Sequence, residues 1–269
     1  MYQEFTGIEY IKIAIANAYG YDKLTWDKRL EWFDFTVTHG IDYFLKNAAE
    51  PLLMQKALNA YRDAIAGTPT GYIMGLDATA SGIQILSALI GCEKGAAHTN
   101  LIDTGKREDA YKNVTAAMNK LVTIDVSRRV MKNSVMTVMY GSKAEPKKAF
   151  GEDTPELDAF YATIQEEFPG ACEAMNDIQS CWQGDALVHS WVMPDGHTVH
   201  VPVTEMVDKK IEVDELDHAT FTHRAKVNTS QEYGVSLAAN ATHACDSYLV
   251  REMYRRADSQ GFEILTIHK

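Results

Sequence analysis

Four side chains suited to binding a nucleotide recur at every fourth position of the segment 128–140. They are Arg128, Lys132, Met136 and Tyr140. On a helix with about 3.6 residues per turn, this spacing puts all four on one slowly drifting face, which spans about 18 Å at about 1.5 Å per residue. Two cations followed by an apolar chain and an aromatic ring suit a ligand with a phosphate tail and a flat base. The face therefore predicts a site for a nucleoside triphosphate.

The same spacing also fits a helix without a ligand. Methionine, valine and tyrosine at helical periodicity commonly face a protein core, and an arginine four residues before a lysine is common on a solvated face. The spacing alone leaves these two interpretations evenly balanced. Ser127 is placed to cap this helix and Gly141 to end it.

A second candidate for chemistry is Asp77, which follows a short apolar run at residues 72–76. The length of this run and the Gly-Thr-Pro-Thr-Gly segment before it favour a buried strand. A carboxylate at the end of a strand, before a turn of small residues, is well placed to hold a metal ion above a sheet. Taken by itself, however, the aspartate is better interpreted as part of a helix cap or a turn.

Together these segments resemble the single-subunit DNA-dependent RNA polymerases of bacteriophages and mitochondria. The string Ser134-Val-Met-Thr-Val-Met-Tyr-Gly-Ser-Lys143 is similar to their fingers helix, and Asp77-x-x-x-Ser-Gly-Ile-Gln84 to their first carboxylate motif. Trp191-Val-x-Pro-Asp-Gly196 also occurs in the family at the corresponding point. The resemblance covers the chain from about Gly7 onward. Arg129 and Asn133 depart from the residues usual at their positions.

The resemblance implies template-dependent transfer of ribonucleotides, with Mg²⁺ as the cofactor. DNA polymerases of the wider superfamily carry a glutamate five residues after the aspartate, where it rejects a ribose hydroxyl. That position is Gly82 here, so ribonucleotides are the expected substrate. Because Mg²⁺ prefers hard oxygen ligands, the resemblance assigns it to the Asp77 carboxylate and the backbone carbonyl of Ala78.

The family's catalytic roles transfer to matching positions of this chain. The expected catalytic residues are Asp77, Lys132 and Tyr140. Arg128 and Lys132 are expected to bind the triphosphate, and Lys132 to protonate the leaving pyrophosphate. Tyr140 is expected to pack against the incoming sugar and base, with Met136 beside it.

Two further positions match family residues near the nucleotide. Tyr111 matches an aromatic residue close to the active site, and His243 a histidine that points into the nucleotide site. A half-buried helical tyrosine and a core histidine are the alternative interpretations.

The expected chemistry needs two carboxylates to bridge two Mg²⁺ ions. In the family, the strand matching residues 262–267 leads into His-Asp-Ser, whose aspartate is the second carboxylate; here the sequence reads His268-Lys269. With one carboxylate, the activation barrier of nucleotidyl transfer would rise by several kcal/mol. The chain alone is therefore expected to be nearly inactive. We therefore expect a heterodimer in which a second polymerase subunit supplies that aspartate.

The expected fold is α+β and mainly helical. It is the right-hand polymerase fold, with a palm sheet and helical fingers and without the thumb and the promoter-binding N-terminal domain. Four segments are predicted: a helical lead-in at 1–71, a palm strand with helices at 72–121, fingers at 122–185, and a hairpin, strands and palm helix at 186–269.

Within these segments the pattern predicts individual elements. Helices are predicted over 106–121, 156–168, 171–183 and 234–259, a hairpin around 191–197, and strands over 208–227 and 262–267. Lys143, Lys147 and Lys148 lie in a predicted basic loop, which either contacts template phosphates or is simply solvated.

Composition bounds the class of protein. With 269 residues, of which 46% are hydrophobic and 23% charged, the sequence is typical of a soluble globular protein. It has no apolar run of about 20 residues and no signal segment, which predicts a cytoplasmic protein, within the host for a phage product, and no membrane contact. The four cysteines form no Cys-x-x-Cys pair, so neither a zinc site nor a disulfide framework is predicted. His218 and His223 lack a third ligand at suitable spacing and are predicted to be surface residues.

The net charge of −11 is unusual for a protein whose expected partners are a DNA template, an RNA product and nucleoside triphosphates. Either the basic surface is local, around residues 128–148, or another chain supplies the rest. Two other functions compete with the polymerase. One is a non-catalytic scaffold or nucleic-acid-binding subunit of a polymerase complex, and the other is a DNA polymerase fragment, against which Gly82 argues.

Overall fold

The computed structural model describes residues 5–75, 78–261 and 263–266, apart from the side chain of residue 42. Asp77 and the positions 268–269 lie outside the described residues. The chain divides into two compact units. The first comprises Met1–Ala78, Asp103–Glu108 and Glu263–Lys269, and the second comprises Thr79–Ile102 and Asp109–Phe262. Every helix in the described part is too short or too polar to span a lipid bilayer.

The first unit packs four helices around one apolar cluster. Their bounds are α1 Gly7–Ala16, α2 Trp26–Thr38, α3 Ile41–Lys46 and α4 Pro51–Ile65, and a π-helical turn, Asn17–Tyr21, follows α1. Ile15, Phe33, Met54 and Leu58 are almost fully buried in the cluster. The side chain of Arg29 holds the turn after α1, because its guanidinium donates to carbonyl oxygens of the 22–24 segment and to a side-chain oxygen on the π-helical turn.

The predicted strand at 72–76 is wrong for the described residues 72–75, which have no strand pairing. Tyr72 and Met74 pack against the apolar cluster of the first unit instead, while Ile73 between them is 55% exposed. The strand predicted over 262–267 is likewise absent from residues 263–266. An apolar run indicates that a segment is buried. To form a strand, the segment also needs a neighbouring strand whose backbone groups form hydrogen bonds with its own.

The second unit is also mainly helical, which confirms the predicted fold class. Its helices are α5 Ser81–Ile90, α6 Glu93–His98, α7 Ala110–Met118, α8 Arg128–Val138, α9 Ala144–Phe150, α10 Pro155–Glu167, α11 Pro169–Ser180 and α12 Ser236–Gln260. Leu86, Met118, Met131, Phe160 and Phe168 form the centre of its core. These side chains come from α5, α7, α8, α10 and the start of α11, so the core fixes α8 against its neighbours.

Two antiparallel hairpins interrupt the helices of the second unit. The first pairs β1 Val188–Val192 with β2 Thr198–Pro202, and the second pairs β3 Thr204–Val213 with β4 Ala219–Asn228. The Pro-Asp-Gly turn lies between β1 and β2, as the sequence predicts. Most residues of β3 and β4 are exposed and none is fully buried, so this ribbon contributes little to the core.

Two predictions within the second unit need correction. The helix predicted from residue 106 begins at Ala110, because the side chain of Asp109 caps it by accepting the backbone N–H of Lys112. The predicted basic loop after residue 142 is α9, in which Lys147 pairs with Glu152. The sequence of α9 contains alanine, lysine and glutamate, which favour helix, and a proline in the first turn, where its missing N–H costs nothing.

Candidate functional site

Helix α8 is defined by strong signals at both of its ends. The Ser127 hydroxyl accepts the N–H of Val130 and caps the amino end, as predicted. At the other end the helix stops at Val138, and Gly141 adopts a φ of +86°, a conformation that favours glycine. A Cβ at position 141 would lie 2.3 Å from Nε2 of Gln179 and 3.0 Å from the backbone oxygen of Val235. Tyr140 therefore lies in a tight turn just beyond the helix rather than in its last turn.

The face predicted from the four-residue spacing points away from the core. Arg128 and Lys132 are exposed, and Met136 is 42% exposed. Met131 and Val135 have no exposed surface and lie on the neighbouring side of α8, since 3.6 residues per turn puts Val135 only about 20° around the helix from Arg128. The core interpretation is therefore wrong for Met136 and right for Met131 and Val135, whereas exposed Arg128 and Lys132 fit both a ligand site and an ordinary solvated face.

Tyr111 lies beside both cations. Its ring centroid is 5.6 Å from Cζ of Arg128 and 5.9 Å from Nζ of Lys132, which are cation–π distances. Burial raises the pKa of the Tyr111 phenol, and the neighbouring Tyr140 adds to this rise. The structure thus places Tyr111 beside Arg128 and Lys132.

The side chain of Asp109 contacts the same cluster, and the sequence argument missed it. One carboxylate oxygen, Oδ2, accepts a hydrogen bond from Nε of Arg128 at 2.9 Å and lies 2.7 Å from Nη2 in the same ion pair. An aspartate directly before a helical pattern is a signal for a helix cap. That signal was available in the sequence, but it does not indicate that an arginine nineteen residues later shares the carboxylate.

The aromatic end of the face is formed by Tyr140 and His243. Their rings stack with centroids 5.0 Å apart and planes inclined by 26°. The tyrosine also lies against helix α5, because a Cβ on Gly82 would be 3.1 Å from its hydroxyl oxygen. His243 is exposed, so the structure contradicts the alternative of a core histidine.

The phenol of Tyr140 is protected from ionisation. Its pKa is raised by burial first, and the negative charge of Asp246 adds to the rise. At neutral pH the group is therefore a neutral hydroxyl that can donate one hydrogen bond and accept others.

Other residues singled out in the sequence are not gathered at this face. Lys147 pairs with Glu152, and Lys148 lies 4.0 Å from Glu145, so part of the charge of the predicted basic loop is neutralised locally. His218 and His223 are exposed, as predicted. His218 does lie near two carboxylates, those of Glu212 and Asp214, but all three groups are exposed on the β3–β4 hairpin.

The candidate face is an open surface. A cleft of about 570 Å³ lies elsewhere in the second unit, lined by Trp182, His200, Lys226 and Tyr233 among others.

The candidate face thus has cations at one end and stacked rings at the other. Comparison with protein families makes the assignment specific. The model of the DNA-dependent RNA polymerase family matches residues 3–258, and the chain belongs to this family, in its phage and mitochondrial type. The resemblance inferred from the motifs is confirmed.

Individual proteins that are similar to this chain are also named DNA-directed RNA polymerases. The chain is 26% identical over 302 residues to the DNA-directed RNA polymerase of Pseudomonas phage phiKMV, covering 90% of this chain and 37% of the relative. It is 28% identical over 162 residues to a probable DNA-directed RNA polymerase of Neurospora crassa, covering 51% of this chain and 18% of the relative. A mitochondrial DNA-directed RNA polymerase of Neurospora crassa is 27% identical over 167 residues, covering 51% and 12%. The chain thus spans well under half the length of these relatives.

Proposed function

We propose that this chain is the nucleotide-binding portion of a DNA-directed RNA polymerase, which adds ribonucleotides from nucleoside triphosphates to RNA on a DNA template. The observation that supports this most is the order of side chains along one exposed face. Arg128 and Lys132 lie at one end, and the stacked pair of Tyr140 and His243 lies at the other. The family assignment makes a nucleoside triphosphate the natural ligand for this order.

The two ends of the face would act on different parts of the nucleotide. Arg128 and Lys132 would hold the triphosphate through charge-assisted hydrogen bonds, which are stronger than neutral ones. Tyr140 would pack against the sugar and base, and its neutral hydroxyl could meet a ribose hydroxyl. Gly82 would leave room for that hydroxyl, because it has no side chain beyond the Cα atom.

Lys132 has a further role in the proposed reaction. As the bond between the α-phosphorus and the bridging oxygen breaks, negative charge grows on the leaving pyrophosphate. The Lys132 ammonium would stabilise this charge and transfer a proton from Nζ to the pyrophosphate oxygen. Stabilisation of charge that develops in the transition state is usually the largest catalytic term.

The donor atoms of the proposed metal ligands suit Mg²⁺. The Asp77 carboxylate and the Ala78 carbonyl are hard oxygen donors, and in the described part of the chain no backbone N–H donates to the Ala78 oxygen. When bound, Mg²⁺ would supply charge stabilisation on the attacking and leaving oxygens.

A partner polypeptide is part of this proposal. The two-metal chemistry needs a second carboxylate. We propose that a second polymerase subunit supplies it. We place the reaction in the cytoplasm of a host cell, which the phage source of one relative suggests.

Replacing Asp77 by asparagine is expected to abolish RNA synthesis by the complete assembly. The assay mixes the chain with its candidate partner subunit, a DNA template, ribonucleotides and Mg²⁺. Loss of a metal ligand is expected to lower the rate by about 1,000-fold or more, equivalent to about 4 kcal/mol of barrier. Asp63→Asn removes an exposed carboxylate on α4 and should leave the rate unchanged.

The scaffold hypothesis predicts a different result in the same assay. A subunit that binds nucleic acid without catalysing the reaction would tolerate Asp77→Asn, and the rate would stay near that of the unmodified assembly. Full activity of the isolated chain would instead contradict the need for a partner.

A further inference from the structure

We propose that Asp109 is a positioning residue, which orients Arg128 so that the free edge of its guanidinium meets the triphosphate. This inference rests on the proposed function, since it assumes that Arg128 binds phosphate. It adds a residue that neither the motif nor the spacing of α8 identifies, and it assigns the amino end of α7 a part in nucleotide binding.

The geometry of the ion pair leaves half of the guanidinium available. An arginine side chain carries five N–H donors in one plane. A single oxygen of Asp109, Oδ2, accepts a hydrogen bond from Nε of Arg128 and forms an ion pair with Nη2. The other nitrogen, Nη1, has no hydrogen-bond acceptor in the described part of the chain. One N–H of Nη1 and the second N–H of Nη2 point the same way and form an edge that suits two phosphate oxygens.

The Asp109 side chain is itself held in place, so it can fix the position of the Arg128 guanidinium. Its Oδ1 accepts the backbone N–H of Lys112 at 3.1 Å, which is the cap of α7. Partial burial alone would raise the pKa of this carboxyl, but the hydrogen bonds from Arg128 and Lys112 outweigh burial and lower it. The group is therefore a carboxylate at neutral pH, tied to the first turn of a helix.

The ring of Tyr111 adds a second restraint on the same guanidinium. Cζ of Arg128 lies 5.6 Å from the ring centroid. The carboxylate that contacts the same guanidinium belongs to Asp109, two residues before Tyr111 in the chain. Carboxylate and ring are both carried by the start of α7, so one helix end limits both the position and the rotation of the arginine head. A long flexible side chain that is already ordered loses less conformational entropy when it binds a phosphate.

An opposite role for Asp109 is physically possible and gives the opposite result. A carboxylate beside a phosphate-binding arginine also neutralises its charge and repels the phosphate. If competition dominated, removing the negative charge would tighten nucleotide binding. If positioning dominates, as we propose, removing it weakens binding.

The test measures binding of Mg²⁺–ATP and of adenosine by calorimetry for the full chain and three variants. The variants are Asp109→Asn, Arg128→Gln and the double substitution. Asparagine caps a helix about as well as aspartate, so Asp109→Asn removes the charge and keeps α7. Asp109→Ser is a second uncharged cap in case the asparagine variant folds poorly, and circular dichroism checks the helix content of each.

We expect Asp109→Asn to weaken Mg²⁺–ATP binding by about 10-fold, within the coupling range of residues in one hydrogen-bond network, and to leave adenosine binding unchanged. The double variant should bind ATP no more weakly than Arg128→Gln alone. Asp158→Asn, which removes an exposed carboxylate from the first turn of α10, should have no effect.

The inference is overturned if the two single effects add in the double variant, if Asp109→Asn binds as the unmodified chain does, or if it binds more tightly. The proposed function fails separately. If the unmodified chain binds ATP no better than adenosine, the triphosphate site is wrong, and the role of Asp109 is overturned with it.

Discussion

Replacing Lys132 by alanine is expected to weaken binding of Mg²⁺–ATP by about 10- to 100-fold, because a hydrogen bond to a charged group contributes about 1.5–3 kcal/mol. The side chain is exposed, lies 5.9 Å from the Tyr111 ring and contributes nothing to the core. The substitution should therefore change affinity without changing the free energy of unfolding. Calorimetric titration with ATP and with AMP measures the effect, and the loss should be confined to ATP.

Lys148→Ala is the matched control for this experiment. Lys148 is also an exposed lysine on a helix of the second unit, but it lies on α9 and its Nζ is 4.0 Å from Glu145. Its removal should leave ATP affinity unchanged. Equal losses in the two variants would show that ATP responds to the overall positive charge of this region and not to a site at Lys132.

Replacing Gly82 by glutamate is expected to weaken binding of ATP by about 5- to 150-fold, since overpacking of a close contact costs about 1–3 kcal/mol. A Cβ at this position would already lie 3.1 Å from the hydroxyl oxygen of Tyr140 and 3.4 Å from its ring. The rest of a glutamate side chain would force Tyr140 away from its stacked position on His243. By the resemblance, the new carboxylate would also occupy the space of a ribose hydroxyl.

The comparison of ATP with dATP separates a specific effect from general disruption. We expect Gly82→Glu to cost more affinity for ATP than for dATP, so that any preference for the ribonucleotide is lost. The control is Gly71→Glu, where a Cβ meets nothing within 4 Å. A variant at Gly82 that keeps both affinities would mean that Tyr140 and Gly82 do not line a sugar site.

Much of the candidate face could be predicted from sequence, because helical spacing is a local property. Arg128, Lys132 and Met136 share a face and are exposed, while Met131 and Val135 on the neighbouring side of α8 are buried. What the spacing could not decide was which of the two faces pointed inward. That depends on packing against α7 and α9, and only the structure contains this information.

The incorrect predictions have one physical cause. The elements concerned depend on contacts between residues that are distant in the sequence. The apolar runs before residue 77 and after residue 261 were predicted as strands, yet strand pairing depends on a partner that local pattern does not reveal. Lys147 was predicted in a loop, although its pairing with Glu152 and the composition around it suit a helix. The contact of Asp109 with Arg128 joins two separate helices, and no periodicity within either helix predicts it.

The most direct test of the central claim is whether a bound nucleotide covers Lys132. The chain is treated with a lysine-acetylating reagent, with and without saturating Mg²⁺–ATP, and modification of each lysine is measured by mass spectrometry. Lys143 and Lys148 serve as internal references on the same unit. We predict that ATP strongly protects Lys132 and leaves both references unchanged. Equal modification of Lys132 with and without bound ATP would contradict the proposal that this face binds the triphosphate.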